Sequence, residues 1–134
     1  MTKAGLLKLS RRAATVLFWP GLALVVWGEL APSGGEPFHI WDKLLHFIAY
    51  FGLAGLANVA LGGVKPAWRA AIALALLGGA LEIVQGVIGR DMSLTDELAN
   101  VLGVAAGIVA GRGWLVLLGP KGASGSLVGA RAPD

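Results

Sequence analysis

The sequence predicts an all-α fold: an integral membrane four-helix bundle with both termini cytoplasmic. Three observations predict it. Hydrophobic residues fill 56% of the 134 positions and charged residues only 14%, against about 25% charged in a soluble domain, whose surface must stay hydrated. Four long apolar stretches, parted by short turn-rich segments, each approach the length that crosses about 30 Å of hydrocarbon at about 1.5 Å per residue. The Lys and Arg residues fall in alternate segments rather than evenly, as the bias of cytoplasmic loops toward positive charge requires.

The elements follow in order. Residues 1–12 hold Lys3, Lys8, Arg11 and Arg12 and read as a basic cytoplasmic start. A first helix is expected near 13–30, around the apolar run Ala13–Gly28, with Pro20-Gly21 kinking it; neighbouring helices can satisfy the carbonyl that a proline frees. Residues 31–37, with two prolines and two glycines, form a loop. A second helix near 42–62 covers Leu44–Leu61, and Gly62-Gly63-Val64-Lys65-Pro66 turns the chain, with Pro66 suited to open the next helix. The third helix is placed near 67–88, the turn at 89–93, and the fourth helix near 94–113. All four are apolar all round rather than on one stripe, as lipid-facing or bundled helices are. The transmembrane domain then spans 13–118, and the Gly-, Ala- and Ser-rich residues 119–134 are expected to be a disordered cytoplasmic tail.

Charge sets the orientation. Lys3, Lys8, Arg11, Arg12, Lys65, Arg69, Arg112, Lys121 and Arg131 fall on one side, and only Lys43 and Arg90 on the other. That places both termini in the cytoplasm. A basic start before an apolar run also suits a cleaved signal peptide, but Glu29 stands where a small residue should precede the cut, so retention as a helix is favoured. The net charge of +3 does not imply nucleic acid, because the basic residues sit between apolar runs instead of forming a stripe with aromatics. With no cysteine, thiolate metal sites and Cys nucleophiles are excluded.

Polar residues inside apolar segments are costly and usually face a bundle interior or a hydrated cavity. Asp42, His46 and Tyr50 recur at i, i+4 and i+8 on one face of the second helix. Glu82 and Gln85 share a face near the end of the third, Arg90 follows in the turn, and Asp96 and Asn100 open the fourth. Gly103 and Gly107 continue that last face. The charge rule puts all the ionisable and amide groups of this set in the outer half of the membrane, so one ligand-binding cluster of Asp42, His46, Tyr50, Glu82, Gln85, Arg90, Asp96 and Asn100 is expected. Each residue also has a structural reading. Asp42 can cap the second helix, Ser93 and Asp96 match a capping box, and His46 and Tyr50 can be packing residues. Asn100 with the glycines can join two helices closely, which is the reading favoured for it. Glu82 paired with Arg90 or protonated His46 is either a structural pair or the centre of the site.

The residues carry a family resemblance. Asp42-Lys43-Leu44-Leu45-His46-Phe47-Ile48-Ala49-Tyr50 resembles the D-K-x-x-H-F-x-x-Y segment of the VanZ-like family of small membrane proteins. Glu82-Ile83-Val84-Gln85, with Arg90 after it, resembles the family's E-x-x-Q segment, and Ser93 to Gly103 resembles its S-x-x-D-x-x-x-N-x-x-G segment. Order and spacing agree over roughly residues 38–111, and the first helix matches in character only. The resemblance implies a multi-pass protein of the bacterial plasma membrane and cell envelope. It also implies a link to glycopeptide antibiotic resistance, since the family's namesake is associated with low-level resistance to teicoplanin.

The expected function is binding of a membrane lipid, a lipophilic glycopeptide or a lipid-linked cell-wall precursor near the outer leaflet. Arg90 would hold an anionic head group, with Glu82 and His46 on its other polar atoms. No catalytic residue, cofactor or metal is expected. Asp42, His46 and Glu82 also offer a His/carboxylate set for a metal, but a single His among acids commonly occurs without one. The alternatives are an enzyme using His46 as acid or base on a lipid-linked precursor, and a structural or transport subunit, with oligomerisation left open.

Overall fold

A computed structural model describes residues 1–31, 39–89 and 92–119, the first two of the second helix by backbone only. Four helices make up the described chain: α1 Lys3–Leu30, α2 His39–Leu61, α3 Val64–Val87 and α4 Leu94–Leu118. Each is long and apolar enough to cross a membrane, and large apolar side chains such as Trp19, Leu76, Val87, Val109 and Val116 stand exposed along them. Such side chains need lipid as their solvent. The protein is a multi-pass, all-α membrane protein.

All four helices extend beyond the apolar runs that announce them. Hydropathy marks the hydrocarbon slab, whereas helix persists into polar flanks rich in Lys, Arg, Leu and Ala. So α1 begins ten residues earlier than expected, at Lys3, where the Thr2 side chain accepts a hydrogen bond from Gly5 N (3.2 Å) and caps the first turn. It continues through Pro20 without a break. Likewise α2 starts at His39 and α3 at Val64, whereas α4 reaches Leu118 by running past Arg112 and Gly113 into the apolar residues Trp114–Leu118. The expected tail from Pro120 onward, like Arg90, lies outside the described residues.

Short connections alternate the helix directions, so two ends of the bundle differ. At the basic end Arg11 donates through Nη2 to Leu61 O (3.0 Å) and through Nε to Ala60 O (3.4 Å), closing the C-terminus of α2 with a positive charge. Gly62, at φ +66°, makes room there: a Cβ on it would overlap the Arg11 guanidinium. At the opposite end lie the C-termini of α1 and α3 and the N-termini of α2 and α4. Seven of the eight acidic residues (Glu29, Glu36, Asp42, Glu82, Asp91, Asp96 and Glu97) belong to this end or its connecting segments, against Lys43 and Arg90.

The tightest pairing joins α2 to α4. Gly103, Gly107 and Gly111 form one edge of α4, and a Cβ on Gly103 would strike Phe47 O, one on Gly107 would strike Phe51 O, and one on Gly111 would come within 2.9 Å of Gly55 O. Backbone therefore meets backbone, as small residues permit between membrane helices. Buried Asn58 donates from Nδ2 to Ile108 O (2.6 Å) across the same seam. Tyr50, Leu53, Ala54, Ala71, Leu74 and Val104 fill the core beside it. By contrast, α1 buries only Ala14 and Glu29. A carboxylate is half of what the least embedded helix hides.

Candidate functional site

The polar residues at the acidic end gather around His46, which is only 8% exposed. Asp42, His46 and Tyr50 do share a face of α2, running from half-exposed Asp42 to fully buried Tyr50. His46 Nδ1 lies 3.1 Å from Asn100 Oδ1 on α4 and 3.6 Å from Glu29 Oε1 on α1, while Nε2 lies 3.9 Å from Asp42 Oδ1. Asn100 Nδ2 donates to Glu97 Oε2 at 3.2 Å. That bond fixes the amide with its oxygen toward the ring, and an amide oxygen only accepts, so the ring proton sits on Nδ1. In the neutral imidazole Nε2 keeps its lone pair, on the Asp42 side.

α3 closes the cluster with Gly78. A Cβ there would come within 2.6 Å of Glu97 Oε2, 2.8 Å of Asn100 Nδ2 and 3.3 Å of the Tyr50 hydroxyl. Three polar side chains from α2 and α4 therefore converge on one glycine. Gln85 Nε2 donates to Glu29 O (2.8 Å), satisfying a carbonyl of the last turn of α1.

Three expectations from sequence change here. Asp96 forms no capping box: Ser93 makes no side-chain cap, its hydroxyl meets Thr95 Oγ1 at 2.8 Å, and the Asp96 carboxylate instead takes Lys43 Nζ at 2.9 Å. A cross-helix charge outcompetes a local backbone amide. Glu82 does not centre the site on His46; its Oε2 accepts from Ser93 N (2.9 Å) and so ties the end of α3 to the start of α4. Asp96, not Glu82, joins Asp42 and His46, one ligand atom of each lying within 4.8 Å of the others. Arg90 lies outside the described residues.

Glu29, Lys43 and Glu97 are the site members that sequence reading leaves out. Glu29 alone has a usable signal, being a carboxylate in the last turn of an apolar span, where burial demands partners.

The cluster opens sideways. A groove of about 510 Å³ runs between α1 and α2, with Glu29, Asp42 and His46 at its polar end and Leu24, Val25, Leu45, Ala49 and Leu53 along its wall. A second groove of about 540 Å³, along Ala14, Leu17, Gly55 and Trp114, shares Gly52 and Leu56 with the first. Together they follow α1 from Glu29 to Ser10, about 28 Å at about 1.5 Å per residue.

Comparison with known proteins adds no relative. The chain matches no family model, no curated protein and no solved structure.

Proposed function

We propose that the protein binds a membrane amphiphile at the acidic end of the bundle. Its polar head rests on Glu29, Asp42 and His46, and its chain lies along α1 and α2. One observation carries this reading: a single groove joins a polar wall, with Glu29 and His46 buried in it, to an apolar one. Binding sites for small molecules have this character, mostly apolar with a few convergent polar groups. Two carboxylates and an imidazole offer mainly acceptors, so the head group that fits is rich in hydroxyl, amide or amine donors. An anionic head held by Arg90 is the arrangement expected from sequence, and the described wall favours donors instead.

Membrane lipids with amine or sugar heads, a lipophilic glycopeptide and the sugar-peptide part of a lipid-linked cell-wall precursor all combine an apolar chain with hydrogen-bond donors. The segments that resemble those of the VanZ-like family favour the second, in a bacterial plasma membrane and in connection with glycopeptide resistance. An enzyme acting on a lipid-linked precursor is the second reading. The lone pair on His46 Nε2 beside Asp42 favours it, as a general base requires.

Native mass spectrometry of protein released from lipid nanodiscs tests the binding reading. A Cβ on Gly52 meets nothing within 4 Å and Gly52 lines the groove, so Gly52→Phe places its ring in the groove. Wild type is expected to retain one amphiphile, and the variant to lose it at least tenfold while melting at the same temperature. Equal retention in both proteins sinks the proposal.

A further inference from the structure

We infer that Asp42, His46 and Asp96 bind a divalent transition-metal ion, zinc in the first instance. Asp42 and His46 stand one turn apart on α2, and Asp96 comes from the first turn of α4. One ligand atom from each lies within 4.8 Å of the other two. In a tetrahedral zinc site, with bonds of about 2.0–2.2 Å, ligand atoms stand roughly 3.3 Å apart. Closing the difference falls to Asp42, whose side chain is 51% exposed and free to swing, while His46 and Asp96 are held.

His46 is prepared for this role by its neighbours. Its Nδ1 proton is committed to Asn100, and Asn100 is itself fixed by Glu97. Metal-binding histidines commonly donate their other ring N–H to a polar partner, which sets the tautomer and the ring orientation. The nitrogen that keeps its lone pair is Nε2, on a ring that is only 8% exposed, and it lies 3.9 Å from Asp42 Oδ1. A packing histidine has no need of a partner chain that leaves one nitrogen basic and aimed at a carboxylate.

The donor set and the surrounding charge select the ion. One imidazole with two carboxylates suits zinc or manganese, whereas calcium and magnesium favour oxygen alone. Among the described residues, Glu29, Asp42, Glu82, Asp96 and Glu97 against Lys43 draw cations to this end. Lys43 already supplies one, its Nζ lying 2.9 Å from Asp96 Oδ1. That ammonium is 38% exposed on a flexible stem, so an arriving ion displaces it. The lysine is a competitor for the site. Three protein ligands leave a fourth position open, as in catalytic zinc sites. The ion site stands without the amphiphile, although Asp42 and His46 also line the groove.

The experiment uses the full chain in phosphatidylcholine nanodiscs, stripped with EDTA, dialysed and titrated with zinc in a calorimeter. One equivalent per chain is expected. His46→Gln, Asp96→Asn and half-exposed Asp42→Asn should each weaken binding at least tenfold, and Lys43→Met should tighten it about tenfold by removing the competing ammonium. Melting curves in EDTA show whether each variant is folded, and Asp42→Asn and Lys43→Met keep the test decisive if the buried variants are not. Absence of stoichiometric zinc overturns the inference. So does zinc held equally by wild type and Asp42→Asn, which marks an adventitious ion only. Amphiphile retention, measured in EDTA, reports separately on the groove.

Discussion

Asn100 Oδ1 accepts the ring proton of His46 Nδ1 at 3.1 Å while its amide nitrogen donates to Glu97 Oε2 at 3.2 Å. One fully buried amide thus reads the state of both neighbours. Replacing it with leucine strips a buried ring of its acceptor, a loss that costs about 1–3 kcal/mol. Asn100→Leu is therefore expected to unfold more readily in a denaturant titration in mixed micelles. Its imidazole nitrogen shifts, read by NMR, should show both tautomers instead of the Nδ1–H form alone. Unchanged shifts would mean that Asn100 does not set the proton position.

The glycine edge of α4 makes a contrast within one helix. Gly103→Ala places a methyl group against Phe47 O, and Gly107→Ala places one against Phe51 O, whereas a Cβ on Gly113 meets nothing within 4 Å. Overpacking of this kind costs about 1–3 kcal/mol, while alanine in place of an open helical glycine gains up to about 1 kcal/mol. Melting temperatures should fall for the first two and hold or rise for Gly113→Ala. A fall at all three positions would remove close α2–α4 packing as the cause.

The four spans are legible in the sequence because lipid imposes a length and an apolarity that a short loop cannot imitate. Asp42, His46 and Tyr50 are legible as a face because helical spacing is local. What joins α2 to α4 or to α1 is not. The partner of Lys43 is 53 residues away, and the capping-box pattern at Ser93 and Asp96 gives no sign that a lysine on another helix takes the carboxylate. Glu29 is the instructive case. At the end of an apolar run a carboxylate looks like a charge at the membrane surface, and only the arrival of His46 beside it shows that it is buried. Sequence marks which residues need partners; packing chooses them.

The pair across α1 and α2 should be coupled in energy. His46 Nδ1 and Glu29 Oε1 stand 3.6 Å apart, both more than nine-tenths buried. Residues in contact within one polar network show interaction energies of about 0.5–3 kcal/mol in double-mutant cycles. Glu29→Gln, His46→Gln and the double variant, compared by denaturant titration in micelles, are expected to be non-additive by at least about 0.5 kcal/mol. Strict additivity would show that α1 docks by its apolar face alone.

Orientation can be read from two exposed positions on opposite ends. Lys65 and Met92 are exposed, and neither has the positive φ that makes Gly89 (φ +83°) a poor place for a side chain. No native cysteine competes with a probe. The distribution of Lys and Arg puts Lys65 in the cytoplasm and Met92 outside. In intact cells an impermeant maleimide should therefore label Met92→Cys at once and Lys65→Cys only after lysis. The reverse pattern would turn the acidic end, with the groove and the metal ligands, toward the cytoplasm. The amphiphile would then have to be sought in the inner leaflet, and glycopeptides arriving from outside would no longer be candidates.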